Sequence, residues 1–214
     1  FLGKMICLEG IEGVGKTTQI NWIADFLKEN GKKVIITREP GGTPIGEKIR
    51  DELLKHDMPG ESLTNDVEML LVFAARSQHM AHKILPALKE GVWVVCSRFF
   101  ESSFAYQGGG RGASREWLES LKKSVQGDLD PDLTLLLDAP AEVGLARISN
   151  READYFEREN KAFYRRVRDV YLKLSIAHPA RIKVINAAES IHQVNQKLVA
   201  VVHEFLSQNA VQTQ

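Results

Sequence analysis

Short unbroken apolar runs alternate along this chain with longer stretches of periodic apolar spacing. "MICLE" (5–9), "KVIIT" (33–37), "VWVVC" (92–96), "DLTLLLD" (132–138) and "RIKVINA" (181–187) predict five buried strands. Between them, spacings of three and four predict helices. These are "TTQINWIADFLKENG", stopping at Gly31, and "IGEKIRDELLK"; a long helix over "DVEMLLVFAARSQHMAHKILPALKEG", with Pro86 near its end; then "REWLESLKKSV", "AEVGLARI" and "SIHQVNQKLVAVVHEFL". Strands alternating with helices predict an α/β fold, a parallel sheet with helices on both faces. No repeat, linker or low-complexity tract divides the 214 residues, so a single domain over 1–214 is expected.

Charge changes this picture little but narrows the partners. Lys plus Arg and Asp plus Glu number 28 each, so no net field favours nucleic acid or membrane, and any anion site must be local. No apolar run reaches the length of a membrane span, and "FLGK" lacks the apolar stretch of a signal peptide. Cys7 and Cys96 sit in strand-like runs without nearby metal-ligand partners, which predicts buried packing in a reducing compartment, the cytoplasm. The six histidines form no metal-like group, and surface or interface positions are expected for all of them.

The chemistry starts at "GIEGVGKT" (10–17), a full match to G-x-x-x-x-G-K-[ST]. A strand precedes it and a helix follows, the context that makes the pattern a phosphate loop. Gly10, Gly13 and Gly15 let backbone N–H groups converge on phosphate oxygens, and the helix N-terminus adds positive potential. Lys16 can reach the β and γ phosphates, and the Thr17 hydroxyl can ligate Mg²⁺. Gly10, Glu12, Gly13, Val14, Gly15, Lys16, Thr17 and Thr18 are thus the expected ATP site. A switch GTPase would carry N-K-x-D, which is absent. "DMPG" (57–60) has D-x-x-G spacing but follows a polar helix end, and reads as a turn. A motor ATPase would show an apolar run ending in Asp-Glu, also absent. A small-molecule kinase remains, and it needs an acceptor site.

At "TREPGGTPIGEKIR", "LLVFAARSQH" and "SRFFESSFAYQGGGRG" the chain resembles bacterial thymidylate kinase, and the likeness runs from "EGIEGVGKTT" through "PDLTLLLDAPAEVGLAR" to the last helix. The resemblance implies transfer from ATP to dTMP, in a homodimer with a five-stranded parallel sheet. It implies that Arg98 binds the acceptor phosphate with help from Arg50, and that Glu39 contacts the sugar near the metal. Phe73 and Arg76, three apart on one helix, share a face on which a ring could stack a pyrimidine and an Arg could bond its O4. The family often places that aromatic four residues before the Arg, where Val72 stands, so the stacking residue stays open between Phe73 and a neighbour. Ser103 and Gln107 match positions near the base, and Tyr106 resembles a residue crowding the sugar 2′ position. "GGGRG" (108–112) reads as a flexible turn.

Two departures from the family stand out. Where the family usually has Asp-Arg at the end of the third strand, this chain has Ser97-Arg98. Ser97 can offer a metal only a weak contact, through water, and Glu9 or Glu12 would have to compensate. The expected lid, about 147–160, contains "DYFE", with Tyr155 where the family carries Arg. Arg147 and Arg151, then Arg158, are the candidates to supply charge over the phosphates. With Lys16 and Arg98, Arg147 and Arg151 make the catalytic set. Two other readings stay open: a kinase for another nucleoside monophosphate, and a nucleotide-binding protein whose catalysis Ser97 has weakened.

Overall fold

A computed structural model describes residues 1–55, 61–148 and 154–210 of the chain. "DMPG" and Arg151 lie outside the described residues. All five apolar runs are strands: β1 Met5–Glu9, β2 Val34–Arg38, β3 Trp93–Ser97, β4 Leu133–Asp138 and β5 Ile182–Asn186. They form one sheet in the order β2-β3-β1-β4-β5, and every neighbouring pair is parallel. The helices are α1 Lys16–Glu29, α2 Pro44–Lys55, α3 Asn65–His79, α4 Leu85–Lys89, α5 Phe100–Ser103, α6 Arg115–Gln126, α7 Ala141–Ile148, α8 Lys161–Ala177 and α9 Ile191–Ala210. The expected long helix is α3 and α4 joined by one wide turn, Met80–Ile84. No described helix is long and apolar enough to cross a membrane.

Strand alternation sends side chains to opposite faces, and each face has its own core. Ile6, Leu8, Val95 and Leu135 pack with Ile20, Ile23, Leu27, Tyr164 and Leu198 from α1, α8 and α9. Met5, Cys7, Val94 and Cys96 pack on the other face with Met80, Ile84 and Leu88. Each such aliphatic side chain contributes roughly 1.5–3 kcal/mol on full burial. Cys7 and Cys96 are directly opposed in register, buried and free, as their surroundings predicted.

The stretch after β3 differs from expectation. Residues 100–110 are helical, with α5 running into a second wide turn, Phe104–Gly110. Gly108, Gly109 and Gly110 are therefore helical, and of "GGGRG" only Arg111 and Gly112, the latter at φ 81°, lie in a turn. Gly110 lies so close to α8 that a Cβ there would meet the Phe163 ring at 2.4 Å, and Arg166 donates to the carbonyls of Gly109 and Gly110. The small residues serve close packing, which a turn-propensity reading cannot distinguish from a loop.

A second close approach positions the phosphate loop. Gly13 has φ 73°, and a Cβ on it would stand 1.9 Å from the Gly144 carbonyl oxygen. Reciprocally, a Cβ on Gly144 would stand 2.4 Å from the Glu12 carbonyl oxygen. Loop and α7 thus touch backbone to backbone, and any side chain at 13 would have to push them apart. Gly144→Ala should lower stability by about 1–3 kcal/mol despite the better helix propensity of Ala, because main chain cannot yield as a side chain can. Urea denaturation measures this, and an unchanged midpoint would mean the loop moves aside freely.

Candidate active site

The carboxyl ends of β1 and β3 open on a cavity of about 440 Å³, at the point where the chain winding reverses. The phosphate loop forms its floor. The residue capping α1 at its N-terminus, Gly15, supplies no side-chain bond, and no acidic residue occupies the helix's first turn. The N–H groups there stay available to an anion. Lys16 Nζ donates to the carbonyls of Gly10 at 2.8 Å and Ile11 at 2.5 Å. Burial, and next the nearby Arg98 guanidinium, push its amine down to about 7. A cation so crowded gains from an incoming polyphosphate.

Arg98 has φ 68°, and among the described residues no other non-glycine has positive φ. Its Nη1 also donates to the Gly10 carbonyl, at 3.0 Å, and its Nη2 pairs with Glu12 at 2.7 Å. The guanidinium lies 4.8 Å from the Tyr106 ring centre, and the Tyr106 hydroxyl donates to the other Glu12 oxygen at 2.6 Å. Arg50 lines the same cavity, with Nη1 on the Pro40 carbonyl. Burial, then Arg38, lower its pKa, the mark of cations gathered without their anion.

Glu39 reaches the wall, but both its oxygens are committed. Arg76 Nε donates to one at 2.7 Å, and His79 Nδ1 to the other at 3.0 Å. His79 is fully buried, with Nε2 at 2.7 Å from the Thr37 hydroxyl, which corrects the expectation of a surface histidine. A spacing of three from Arg76 on one helix face was the signal available. Arg76 is also buried. Its Nη2 reaches Ser103 Oγ and the Phe99 carbonyl, while Nη1 has no partner in the structure.

Phe73 does not reach the cavity. It packs with Met69 and Leu118, and the Arg76 guanidinium lies 4.8 Å from its ring centre. Val72 takes the place on the wall. Ser97, Ser103, Tyr106, Gln107, Thr17, Glu12, Gly13, Gly15 and Arg147 all line it. Gly10, Val14 and Thr18 do not. Arg147 donates to the Ala187 carbonyl at 2.9 Å, and Arg158 is exposed and off the wall. From the stretch before α8, Asp154, Phe156 and Glu157 reach the cavity, and Phe156 packs edge-on against Tyr106.

The carboxylates expected to compensate for Ser97 are both engaged. Glu9, pushed up to about 7 by burial and then by Glu101, accepts from the Phe99 N–H, Ser102 and Tyr171 at 2.7–2.8 Å. Glu12 is held by Arg98 and Tyr106. A strand whose last residue is a carboxylate was the sequence signal for Glu9, but its partners come from the stretch after β3, from α5 and from α8.

A family model described as thymidylate kinase matches residues 8–198. The chain belongs to the thymidylate kinase family. It is 50% identical over 197 residues to the thymidylate kinase of Nitrosospira multiformis, covering 92% of this chain and 95% of that one. Against the thymidylate kinase of Pseudomonas syringae the figures are 48% over 205 residues, 95% and 97%. A crystal structure of thymidylate kinase from Ehrlichia chaffeensis superimposes with a TM-score of 0.76 at 31% identity, covering 94% and 98%. This thymidylate kinase relative is therefore a phosphotransferase.

The Lys16 geometry has a direct consequence. At pH 8 the amine of the free protein is mostly neutral, and a bound triphosphate raises its pKa, so binding ATP should take up close to one proton. At pH 6 the amine is already charged and this uptake vanishes. Titration calorimetry in two buffers of different ionisation enthalpy reads the difference; equal uptake at both pH values would contradict it.

Proposed function

We propose that the chain transfers the terminal phosphoryl group of ATP to dTMP, giving ADP and dTDP. The observation that carries the reading is one cavity lined by Lys16, Arg50 and Arg98 and also by Arg76, a buried guanidinium whose Nη1 has no protein partner. Lys16, Arg98 and Arg50 suit two phosphates, and the Arg76 donor suits a base carbonyl. The attacking group is a phosphate oxygen whose second pKa is about 6. It is an anion near neutral pH, so no general base is required. Lys16 and the helix N-terminus hold the donor, Arg98 and Arg50 orient the acceptor, and the Phe156 side of the lid excludes water.

Mg²⁺ fits this site as a companion of the triphosphate. Among the described residues no three His, Cys, Asp or Glu converge to hold an ion unaided. Thr17 and Ser97 bring hydroxyl oxygens to the same wall, Thr17 as a direct ligand and Ser97 through water. The ion would supply charge neutralisation on the β and γ oxygens. Arg147 and Arg151 are proposed to add charge from the lid, which requires Arg147 to leave Ala187. A homodimer is supported by exposed Val67 and Leu70 on α3. One domain built round the sheet, working in the reducing cytoplasm where Cys7 and Cys96 stay free, completes the reading.

ADP release measured across the nucleoside monophosphates should show dTMP as the best acceptor, with dCMP and UMP far poorer. Equal turnover of dCMP or GMP would overturn the assignment. At saturating ATP and dTMP, Ser97→Asp should lower the Mg²⁺ concentration for half-maximal rate roughly 10–100-fold, or raise the rate itself. Superimposable titrations with equal maximal rates would remove position 97 from the metal site.

A further inference from the structure

Glu68 sits in the first turn of α3, fully buried, and does not reach the cavity. Its Oε1 accepts from Gln107 Nε2 at 2.8 Å, and its Oε2 accepts from Arg111 Nε at 2.8 Å. Arg111 pairs in turn with Glu159 and lies 4.8 Å from the Phe163 ring centre and 5.3 Å from that of Tyr155. Gln107 is buried and lines the cavity.

A glutamine amide can turn either its oxygen or its NH₂ toward a ligand, and the group behind it decides which. A carboxylate paired with a guanidinium only accepts. Gln107 must therefore give its NH₂ to Glu68, which leaves Oε1 as what it offers the cavity. Ser103, which holds Arg76 Nη2, precedes Gln107 by four residues in a helical stretch, so the two groups are neighbours. Arg76, whose Nη1 has no protein partner, and Gln107 both line the cavity, so a guanidinium donor and an amide acceptor belong to the same wall. A 4-oxo pyrimidine offers a carbonyl at C4 and an N–H at N3, the complement of that pair. A 4-amino pyrimidine offers NH₂ at C4 and a bare N3, so both contacts become mismatched.

We propose that Glu68 is a positioning residue that makes the site select 4-oxo over 4-amino pyrimidines by locking the Gln107 amide in one orientation. The inference rests on reading the cavity as the dTMP site. The carboxylate serves both neighbours at once, one oxygen accepting from Gln107 and the other from Arg111.

The test is Glu68→Gln, nearly isosteric. Its single oxygen is claimed by the Arg111 cation, its NH₂ then faces Gln107, and the Gln107 amide turns over. Steady-state kinetics with dTMP, dUMP and dCMP at saturating ATP, on the full chain, read the result. The dTMP to dCMP ratio of kcat/KM should fall roughly 10- to 100-fold, the discrimination that one or two lost polar contacts to a base edge carry. The fall should lie mainly in KM for dTMP. The dTMP to dUMP ratio should hold, because the amide does not touch the methyl group. Gln107→Met, which keeps the volume and removes the amide, should lower the dTMP to dCMP ratio to a similar extent, and adding Glu68→Gln to it should lower it no further. An unchanged dTMP to dCMP ratio in either variant, a matching fall in the dTMP to dUMP ratio, or additive losses in the double variant would overturn the proposal. If Glu68→Gln does not fold, Gln107→Met alone decides on the same ratios. A wild-type protein turning over dTMP and dCMP alike would overturn the dTMP reading itself, and this proposal with it; selective wild type with unaffected variants overturns the proposal alone.

Discussion

Arg98 holds a left-handed backbone conformation that costs an ordinary L-residue about 1–2 kcal/mol, and the site is organised around it. The turn it makes at the end of β3 sends its guanidinium across to β1's loop, where Gly10 and Glu12 receive it, with Ser102 and Tyr171 completing its contacts. Those bonds offset the strain. They also place a fixed positive charge beside Lys16, which makes the Lys16 amine harder to keep charged in the free protein. The site is thus electrostatically incomplete until an anion arrives.

Buried carboxylates fix the polar groups around the cavity. Glu39 fixes Arg76 and His79, Glu68 fixes Arg111 and Gln107, and Glu9 fixes the start of α5 through the Phe99 N–H. An unsatisfied buried carboxylate would be prohibitive, and here each is hydrogen-bonded, Glu39 and Glu68 to a guanidinium and Glu9 to neutral donors. The pairing is not complete everywhere. Arg76 Nη1 is left over, on a residue that lines the cavity, where spare bonding capacity is useful to a ligand. Rigid supports with one uncommitted group each are what preorganised recognition requires.

The two departures from the family have different physical settings. Ser97 lies at a strand end, on the wall, where a hydroxyl can replace a carboxylate without disturbing packing but brings no charge. Tyr155, where the family carries Arg, is absorbed into the lid's anchor. Its N–H donates to Leu54, its ring stacks near Arg111, and Phe156 beside it closes on Tyr106. A charge taken from the lid is exchanged for aromatic packing at its base.

Strand positions, the sheet's parallel character and the phosphate loop were legible in the chain itself, because each depends on local pattern: a run of β-branched and aliphatic residues, a period, a glycine spacing. Lys16, Thr17, Arg98, Arg76, Tyr106 and Gln107 could be named for the same reason, each standing in a recognisable stretch, and the structure brings all six to one wall. Other features were not legible. That Phe73 faces the core and Val72 the cavity turns on about 100° of helix rotation, fixed by Met69 and Leu118. That Gly108–Gly110 pack as part of a wide helical turn depends on Phe163, more than fifty residues away. His79 is buried because Thr37 and Glu39, from another element, satisfy both its nitrogens. Glu68 looks like a solvated helix charge until Gln107 and Arg111 close over it. Local pattern determined which elements form and which chemistry is present. Tertiary packing alone decided which face of each element meets the ligand, because orientation is set by partners remote in sequence.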